Sequence, residues 1–355
     1  MLKYIQFNNE KKYIREFIKL PQKLYLKNNT EDSKEVRSIL EGKHPLCKYF
    51  KIFKFLIYDE NTVVGRFAIT TYPDDYTAYF GFFECIDNKE VSKFIFDVAK
   101  KFAKENYFKR IVGPVDASFW FKYRLKINMF NKMPYTGEPY NKEYYYKMFL
   151  DNNFKVIEHY TSNVYKVIED SYKNEKYISR YNKYIKDGVI IKNLNMNEYD
   201  KTINDLYFVL TDLYKDFPMY KAISQEDFVN IFKSYKMILN PSMVKFAYHK
   251  DKLVGFFISI PNYNNIVYNL NISKLFKILK LRKNPKEYIM LYVGVVNEYP
   301  GLGTGLSYCI INELKNNKLP SIGALTKDRK VTQNYASDLL VERYEYVLME
   351  LKINT

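Results

Sequence analysis

The feature that most constrains the fold is an order of predicted elements that occurs twice along the chain. In each half a hairpin is followed by a strand, an amphipathic helix and a further strand. These segments are residues 53–70, 78–84, 90–106 and 109–112 in the first half and 244–260, 288–296, 303–315 and 321–325 in the second. The match lies in element order and not in residue identity, and it predicts a mixed α/β (α+β) protein of two similar halves.

The composition favours a globular intracellular protein. A chain of 355 residues has the length of two domains, and 47% hydrophobic with 27% charged residues argues against disorder. The longest apolar runs are strand-sized and charges interrupt the N-terminal segment, so we expect no membrane span, no signal peptide and a cytoplasmic location. The three cysteines (Cys47, Cys85, Cys309) lie far apart, which excludes a disulfide framework or a zinc ribbon, and we expect no metal site.

The net charge of +16 has two interpretations. A basic surface attracts nucleic acid, anionic membrane or a polyphosphate cofactor. Alternatively, the charge reflects a chain rich in Lys, Asn, Ile, Tyr and Phe, with basic residues spread along its whole length. The segment Ile272–Lys283 is basic and amphipathic, so it is either a membrane-surface or nucleic-acid contact or a surface helix with a solvated basic face.

A glycine-rich loop between a strand and a helix carries the clearest chemical signal. In Leu291–Leu314 an apolar strand runs directly into Pro300-Gly301-Leu302-Gly303-Thr304-Gly305, where the helix begins. The glycines let the backbone turn its N–H groups toward one point, and a helix N-terminus adds unpaired donors and a positive dipole end. The pattern therefore predicts a site for an anion such as a pyrophosphate.

Two common phosphate motifs do not describe this loop. A P-loop ends in Gly-Lys-Ser/Thr, whereas Gly305 is followed by Leu306 and Ser307. A Rossmann fingerprint has GxGxxG after the first strand of a parallel unit, whereas this loop has GxGxG after a predicted hairpin.

The loop and the segments around it resemble the GCN5-related N-acetyltransferase (GNAT) superfamily. Val295–Gly305 is similar to the superfamily's strand and Arg/Gln-x-x-Gly-x-Gly/Ala loop, which binds the pyrophosphate of acetyl-coenzyme A. Asn334, followed by Ser337 and Leu340, is similar to the later Asn-x-x-Ala-x-x-Leu-Tyr pattern. In the first half, Asn141–Phe154 also looks like this second motif, but no glycine loop precedes its predicted helix at 90–106.

The resemblance implies two tandem acyl-CoA N-acyltransferase-like (GNAT) domains, each a mixed, mostly antiparallel sheet flanked by helices. We expect an N-terminal domain at 1–168 that lacks the pyrophosphate loop, a linker or bridging helix at 169–187, and a C-terminal domain at 188–355 that carries it. The implied cofactor is acetyl-CoA or another acyl-CoA. The residues implied to bind it are Val293, Val295, Val296, Gly301, Leu302, Gly303, Thr304, Gly305 and Asn334.

The implied reaction is direct attack of an unidentified small-molecule or peptide amine on the thioester, as in an N-acetyltransferase. Tyr292, Glu298 and Tyr335 are the candidates for proton transfer, although each also fits a structural role. Two positions depart from the superfamily pattern. Pro300 stands where Arg or Gln is usual, and Val341 stands where many members have the Tyr that protonates the departing thiolate.

A second polar group follows the strand end of the first half. Asp116 and Trp120 come after Gly113-Pro114, and Glu138, Tyr140 and Asn141 follow a loop with Pro134 and Gly137. Strand ends open into clefts, so these residues are candidates to line a substrate pocket between the halves, although they also fit ordinary loops.

Two other functions remain open at this point. Tandem acetyltransferase-like repeats also occur in the Fem family of aminoacyl-tRNA-dependent transferases, and the charge fits a tRNA partner. The departures at Pro300 and Val341 instead fit a protein that binds coenzyme A without catalysis.

Overall fold

The computed structural model describes residues 1–217, 219–328 and 336–353. The chain consists of two compact units. Unit 1 consists of Met1–Tyr160, Val267–Leu270 and Glu345–Thr355, and unit 2 of Thr161–Ile266 and Asn271–Tyr344. These ranges differ from the division expected at residues 168 and 188. Residues after Glu345 belong to unit 1 because Met349–Lys352 pair with strand residues Arg110–Gly113.

Unit 1 begins with a strand, two helices and a three-stranded meander. Its elements are β1 (Leu2–Phe7), α1 (Lys11–Tyr25), α2 (Ser33–Leu40), β2 (Lys51–Asp59), β3 (Thr62–Thr71), β4 (Thr77–Cys85), α3 (Lys89–Glu105), β5 (Arg110–Gly113), β6 (Val115–Asp116), β7 (Lys122–Tyr123), β8 (Leu125–Lys126) and α4 (Tyr145–Asp151). β9 (Lys155–Tyr165) starts in unit 1 and ends in unit 2.

The sheet of unit 1 has the order β1-β2-β3-β4-β5. Its neighbours are antiparallel except β4 and β5, which are parallel and are joined through α3. The Asn88 side chain caps α3 by accepting from the Glu90 and Val91 amides. The apolar face of α3 packs on an aromatic core in which the Phe55 and Phe67 rings stack at 4.5 Å.

Unit 2 has the same kind of element order. Its elements are α5 (Glu175–Lys186), β10 (Ile190–Asn193), α6 (Tyr199–Tyr214), α7 (Gln225–Lys233), β11 (Val244–His249), β12 (Lys252–Pro261), α8 (Ile272–Lys283), β13 (Tyr288–Val295), α9 (Leu302–Asn317) and β14 (Ser321–Lys327). β15 (Leu340–Lys352) starts in unit 2 and ends in unit 1.

The sheet of unit 2 has the order β10-β11-β12-β13-β14, again antiparallel except for its last pair. β13 and β14 are parallel and are joined through α9. Leu306, Ile310 and Leu314 of α9 are buried, as the helical spacing predicts. The predicted mixed α/β fold with mostly antiparallel sheets is therefore confirmed.

Helix α5 corrects the expected linker. It lies within residues 169–187 but packs against α9, with Tyr177 and Tyr184 in the core of unit 2. It is thus an integral helix of unit 2 and not a connection. Among the described residues, no helix is both long and apolar enough to span a membrane.

Candidate functional site

The two parallel strands at the end of the unit 2 sheet pair briefly and then separate. Only Tyr288–Met290 of β13 and Ser321–Gly323 of β14 are in register. Beyond them lies a cavity of about 390 Å³ that is lined mainly by apolar and aromatic side chains. The lining comes from β13, β14, α9 and the end of α6, together with Tyr165, Ile168, Tyr177, Phe257, Ala336 and Leu339.

A bulge in β13 lies at this cavity. Ile258 of β12 pairs with Tyr292, but the next residue, Ser259, pairs with Met290, so Leu291 is the extra residue of β13. A bulged residue is left out of the ladder, which frees its backbone groups for other partners. Leu291 is one of the residues that line the cavity.

The glycine loop forms the N-terminus of α9. Gly301 is the N-cap residue and has a φ of 94°, a left-handed conformation that favours glycine. The amides of Leu302 and Thr304 donate within the loop, to Tyr299 O at 3.1 Å and Gly301 O at 3.1 Å. Among the described residues no backbone acceptor meets the N–H of Gly303, which is a buried residue.

Helix α5 supports this loop directly. The Tyr184 hydroxyl donates to Pro300 O at 2.8 Å, and a Cβ on Gly305 would lie 3.3 Å from the Tyr181 Cα. Gly305 therefore allows α5 and α9 to approach closely. Its role is in the packing of these two helices more than in the binding of an anion. The Tyr177 hydroxyl, on the same helix, accepts from the Ala336 N–H at 2.7 Å.

An arginine from α5 lies beside the N-terminus of α9. A Cβ built on Gly301 would be 3.2 Å from Cζ and from Nε of Arg180. Arg180 is exposed, so its guanidinium adds a positive charge at the open side of the loop. Sequence reasoning missed this residue because it lies 121 positions before Gly301 in a segment without a motif.

The structure divides the predicted cofactor residues between the cavity wall and the glycine loop. Val293 and Val295 line the cavity, and Val296 follows them directly. The loop residues Gly301–Gly305 form the N-terminal turn of α9. Asn334 lies outside the described residues.

The candidates for proton transfer are separated. Tyr292 lines the cavity and is 36% exposed. Glu298 is exposed in the turn after β13 and is not part of the cavity wall. Tyr335 lies outside the described residues. Burial raises the pKa of the Cys309 thiol to about 11, so this cysteine stays protonated and is not a nucleophile at neutral pH.

The corresponding strands of unit 1 also separate, but the chain itself fills the gap. β4 and β5 pair over Thr77–Tyr79 and Arg110–Val112. The backbone after β5 then approaches β4 so closely that a Cβ on Gly81 would lie 1.9 Å from Val115 O. The Asp116 carboxylate accepts from the Phe82 N–H at 2.5 Å, within the irregular part of β4.

Charged side chains fill the rest of this region of unit 1. Arg66 is fully buried; it binds Glu31 with a bidentate pair of contacts and lies 3.7 Å from Glu84. Burial raises the pKa of the Glu84 carboxyl to about 7, against the opposing effects of Arg66 and Tyr145. The space that remains is about 30 Å³, enough for one or two water molecules.

The predicted substrate residues all lie in unit 1. Asp116, Tyr140 and Asn141 line the small cavity just described. Glu138 is fully buried and forms an ion pair with Lys126 at 2.7 Å, while Trp120 is half-buried and packs edge-on against Phe119. Glu138 and Trp120 are not part of the cavity wall, and a substrate role for all five stays a prediction.

Comparison with known proteins gives a match at the level of structure. No protein-family model and no curated protein matches the sequence. A tandem GNAT protein from the clavulanic acid biosynthesis pathway, solved without acetyl-CoA, aligns over 100% of this chain and 99% of its own, with a TM-score of 0.56 and 8% identity.

Two further solved structures agree with this match. A GCN5-related N-acetyltransferase from Sphaerobacter thermophilus aligns over 100% of this chain and 96% of its own, with a TM-score of 0.50 and 8% identity. One from Anabaena variabilis aligns over 100% and 73%, with a TM-score of 0.51 and 10% identity. The chain therefore shares its fold with these solved structures.

Proposed function

We propose that unit 2 binds an acyl-CoA and transfers its acyl group, an acetyl group in the simplest case, to an amine. The observation that carries this proposal is the cavity between β13 and β14, because it is lined by the strand that leads into the glycine loop and by the helix that follows the loop. The comparisons support it through the fold alone.

The residues present fit the cofactor. Its phosphates would be held by the Gly303 N–H, the dipole of α9 and the Arg180 guanidinium. Arg180 would supply from α5 the positive side chain that Pro300 cannot supply from the loop. The separated edge of β13, from Leu291 to Val295, would orient the pantetheine arm through backbone hydrogen bonds.

Three features of the cavity would contribute to the reaction: a backbone group of β13, the apolar lining and the Tyr292 hydroxyl. The bound acyl-CoA supplies an activated thioester carbonyl. The backbone N–H of Leu291, the bulged residue, would polarise the carbonyl oxygen, and the apolar lining would exclude water from it. The Tyr292 hydroxyl is the candidate to hold or pass a proton, because Tyr292 lines the cavity and is 36% exposed.

The first experiment is a calorimetric titration with acetyl-CoA and, separately, with desulfo-CoA, which has the phosphates and pantetheine arm but no thiol. We expect both to bind with micromolar dissociation constants, and acetyl-CoA consumption with a panel of amines to follow. Absence of binding by both compounds would refute the proposal. Salt-dependent binding of tRNA in their place would instead support the aminoacyl-tRNA-dependent alternative.

The contribution of Arg180 can be measured separately. We expect Arg180→Gln to raise the dissociation constant of acetyl-CoA about tenfold, because it removes one charge-assisted contact with a phosphate. Lys186→Gln removes the same charge from the exposed C-terminal turn of α5 and serves as the matched control. Equal affinities in the two variants would show that Arg180 does not contact the cofactor.

A further inference from the structure

Helix α8 carries an apolar stripe on its exposed side. Ile272, Leu275, Phe276 and Leu279 are spaced at i, i+3, i+4 and i+7, so they share one helical face. Ile272 is 77% exposed and Phe276 69% exposed. Single exposed apolar residues are common on protein surfaces, but four on one face of a twelve-residue helix form a contiguous patch.

The same helix is strongly basic. Its twelve residues include five basic side chains and no acidic one. Lys277, Lys280 and Lys283 are exposed and form no ion pair within the described part of the chain. By helical spacing, Lys280 lies beside the apolar stripe and Lys283 continues its line by one turn, so a partner that covers the stripe also meets their charges.

The helix is held in place from its opposite side. Ile278 is fully buried, Arg282 Nη1 donates to Met237 O at 3.3 Å, and the Asn271 side chain caps the N-terminus by accepting from the Lys274 N–H. α8 is therefore formed without its partner, and docking of the exposed stripe requires no folding of the helix.

We propose that α8 is a docking surface for an anionic lipid bilayer, with its apolar stripe in the headgroup–acyl boundary and its lysines on the lipid phosphates. A nucleic acid would satisfy the lysines but would leave Ile272 and Phe276 in contact with water. A bilayer satisfies both, since apolar burial and attraction to anionic headgroups act together on such a helix. The proposal rests on α8 alone and does not depend on the acyltransferase proposal.

The test is co-sedimentation of the full chain with vesicles of equimolar phosphatidylglycerol and phosphatidylcholine, compared with pure phosphatidylcholine. We expect partitioning to the anionic vesicles that weakens with added salt. The charge variant Lys277→Gln/Lys280→Gln/Lys283→Gln should weaken it about a hundredfold. The apolar variant Ile272→Ser/Phe276→Ser/Leu279→Ser should weaken it about tenfold or more.

A matched control separates α8 from the general charge of the protein. Lys11→Gln/Lys12→Gln/Lys19→Gln removes the same charge from exposed positions of α1 and should leave partitioning close to wild type. Circular dichroism of every variant verifies that its fold is intact.

Several outcomes would overturn the proposal. These are absence of vesicle binding at low salt, equal losses in the α1 and α8 charge variants, and an apolar variant that binds like wild type. The last result would indicate purely electrostatic adsorption, as to a nucleic acid. Self-association that the apolar variant abolishes, without vesicle binding, would identify a second copy of the chain as the partner.

Discussion

Both units contain a parallel strand pair that separates after three residue pairs, yet the two gaps have opposite contents. In unit 1 the backbone at Val115-Asp116 and a set of buried charges fill the gap, and about 30 Å³ remains. In unit 2 the gap is a mostly apolar cavity of about 390 Å³. The same topology therefore gives a closed, charged interior in one unit and a mostly apolar cavity in the other.

The comparison also shows what closes the gap in unit 1. The Asp116 carboxylate binds the Phe82 amide in the irregular part of β4, where unit 2 has the Leu291 bulge and leaves the cavity wall accessible. A group of the protein thus occupies a position in unit 1 that we assign to a ligand in unit 2. Unit 2, which carries the glycine loop, is therefore also the unit with the cavity.

The largest effect should come from Gly81→Ala, which tests whether the closed gap of unit 1 is essential. Its Cβ would lie 1.9 Å from Val115 O, so the backbone must move, and we expect a loss of about 5 kcal/mol or no folded protein. Gly323→Ala, on the cavity strand of unit 2, meets the Tyr165 ring at 3.1 Å and should cost less than about 1 kcal/mol. The measurement is urea unfolding of both variants, followed by far-UV circular dichroism. Equal losses of unfolding free energy would mean that the two gaps are packed alike.

The buried charges of unit 1 should produce the next largest effect. Lys126→Met leaves the Glu138 carboxylate without its partner in a fully buried site, and we expect a loss of about 3 to 5 kcal/mol. Unfolding can be followed through Trp120, the single tryptophan, which lies in unit 1. Lys147→Met breaks the exposed pair with Asp151 and should cost below about 0.5 kcal/mol. A small loss in both variants would mean that Glu138 becomes neutral when Lys126 is removed.

A smaller effect should appear in the pH dependence of stability. The folded pKa of Glu84, about 7, lies above its ordinary value of 4.5, so its contribution to stability is complete below about pH 4.5 and is lost as pH rises through about 7. Glu84→Gln removes this dependence, so the stability difference between wild type and variant should change by about 3 kcal/mol between those pH values. Exposed Glu90→Gln is the control, and parallel pH profiles for wild type and Glu84→Gln would contradict the assignment.

The sequence predicted the parts of the fold that depend on local patterns. Helices α3 and α9 and both hairpins follow the predicted segments closely, because their apolar spacing and turn residues act over short distances. The glycine loop was also found at the N-terminus of α9, where its strand and helix context placed it.

The features that the sequence did not reveal depend on contacts between distant segments. Arg180 reaches Gly301 only because α5 packs along α9, and nothing in 169–187 marks it as a helix of unit 2. The closure of the unit 1 gap depends on the path of the backbone after Gly113, which no periodicity encodes. The return of Glu345–Lys352 to unit 1 likewise required long-range strand pairing.

This last strand has a consequence for how the protein is made. Unit 1 obtains the strand residues that pair with β5 from Met349–Lys352, which leave the ribosome only after all of unit 2 has been synthesised. The first 160 residues therefore emerge with one edge of β5 unpaired and cannot finish folding during their own translation. Completion of unit 1 is therefore a late event, because it needs residues that follow all of unit 2 along the chain.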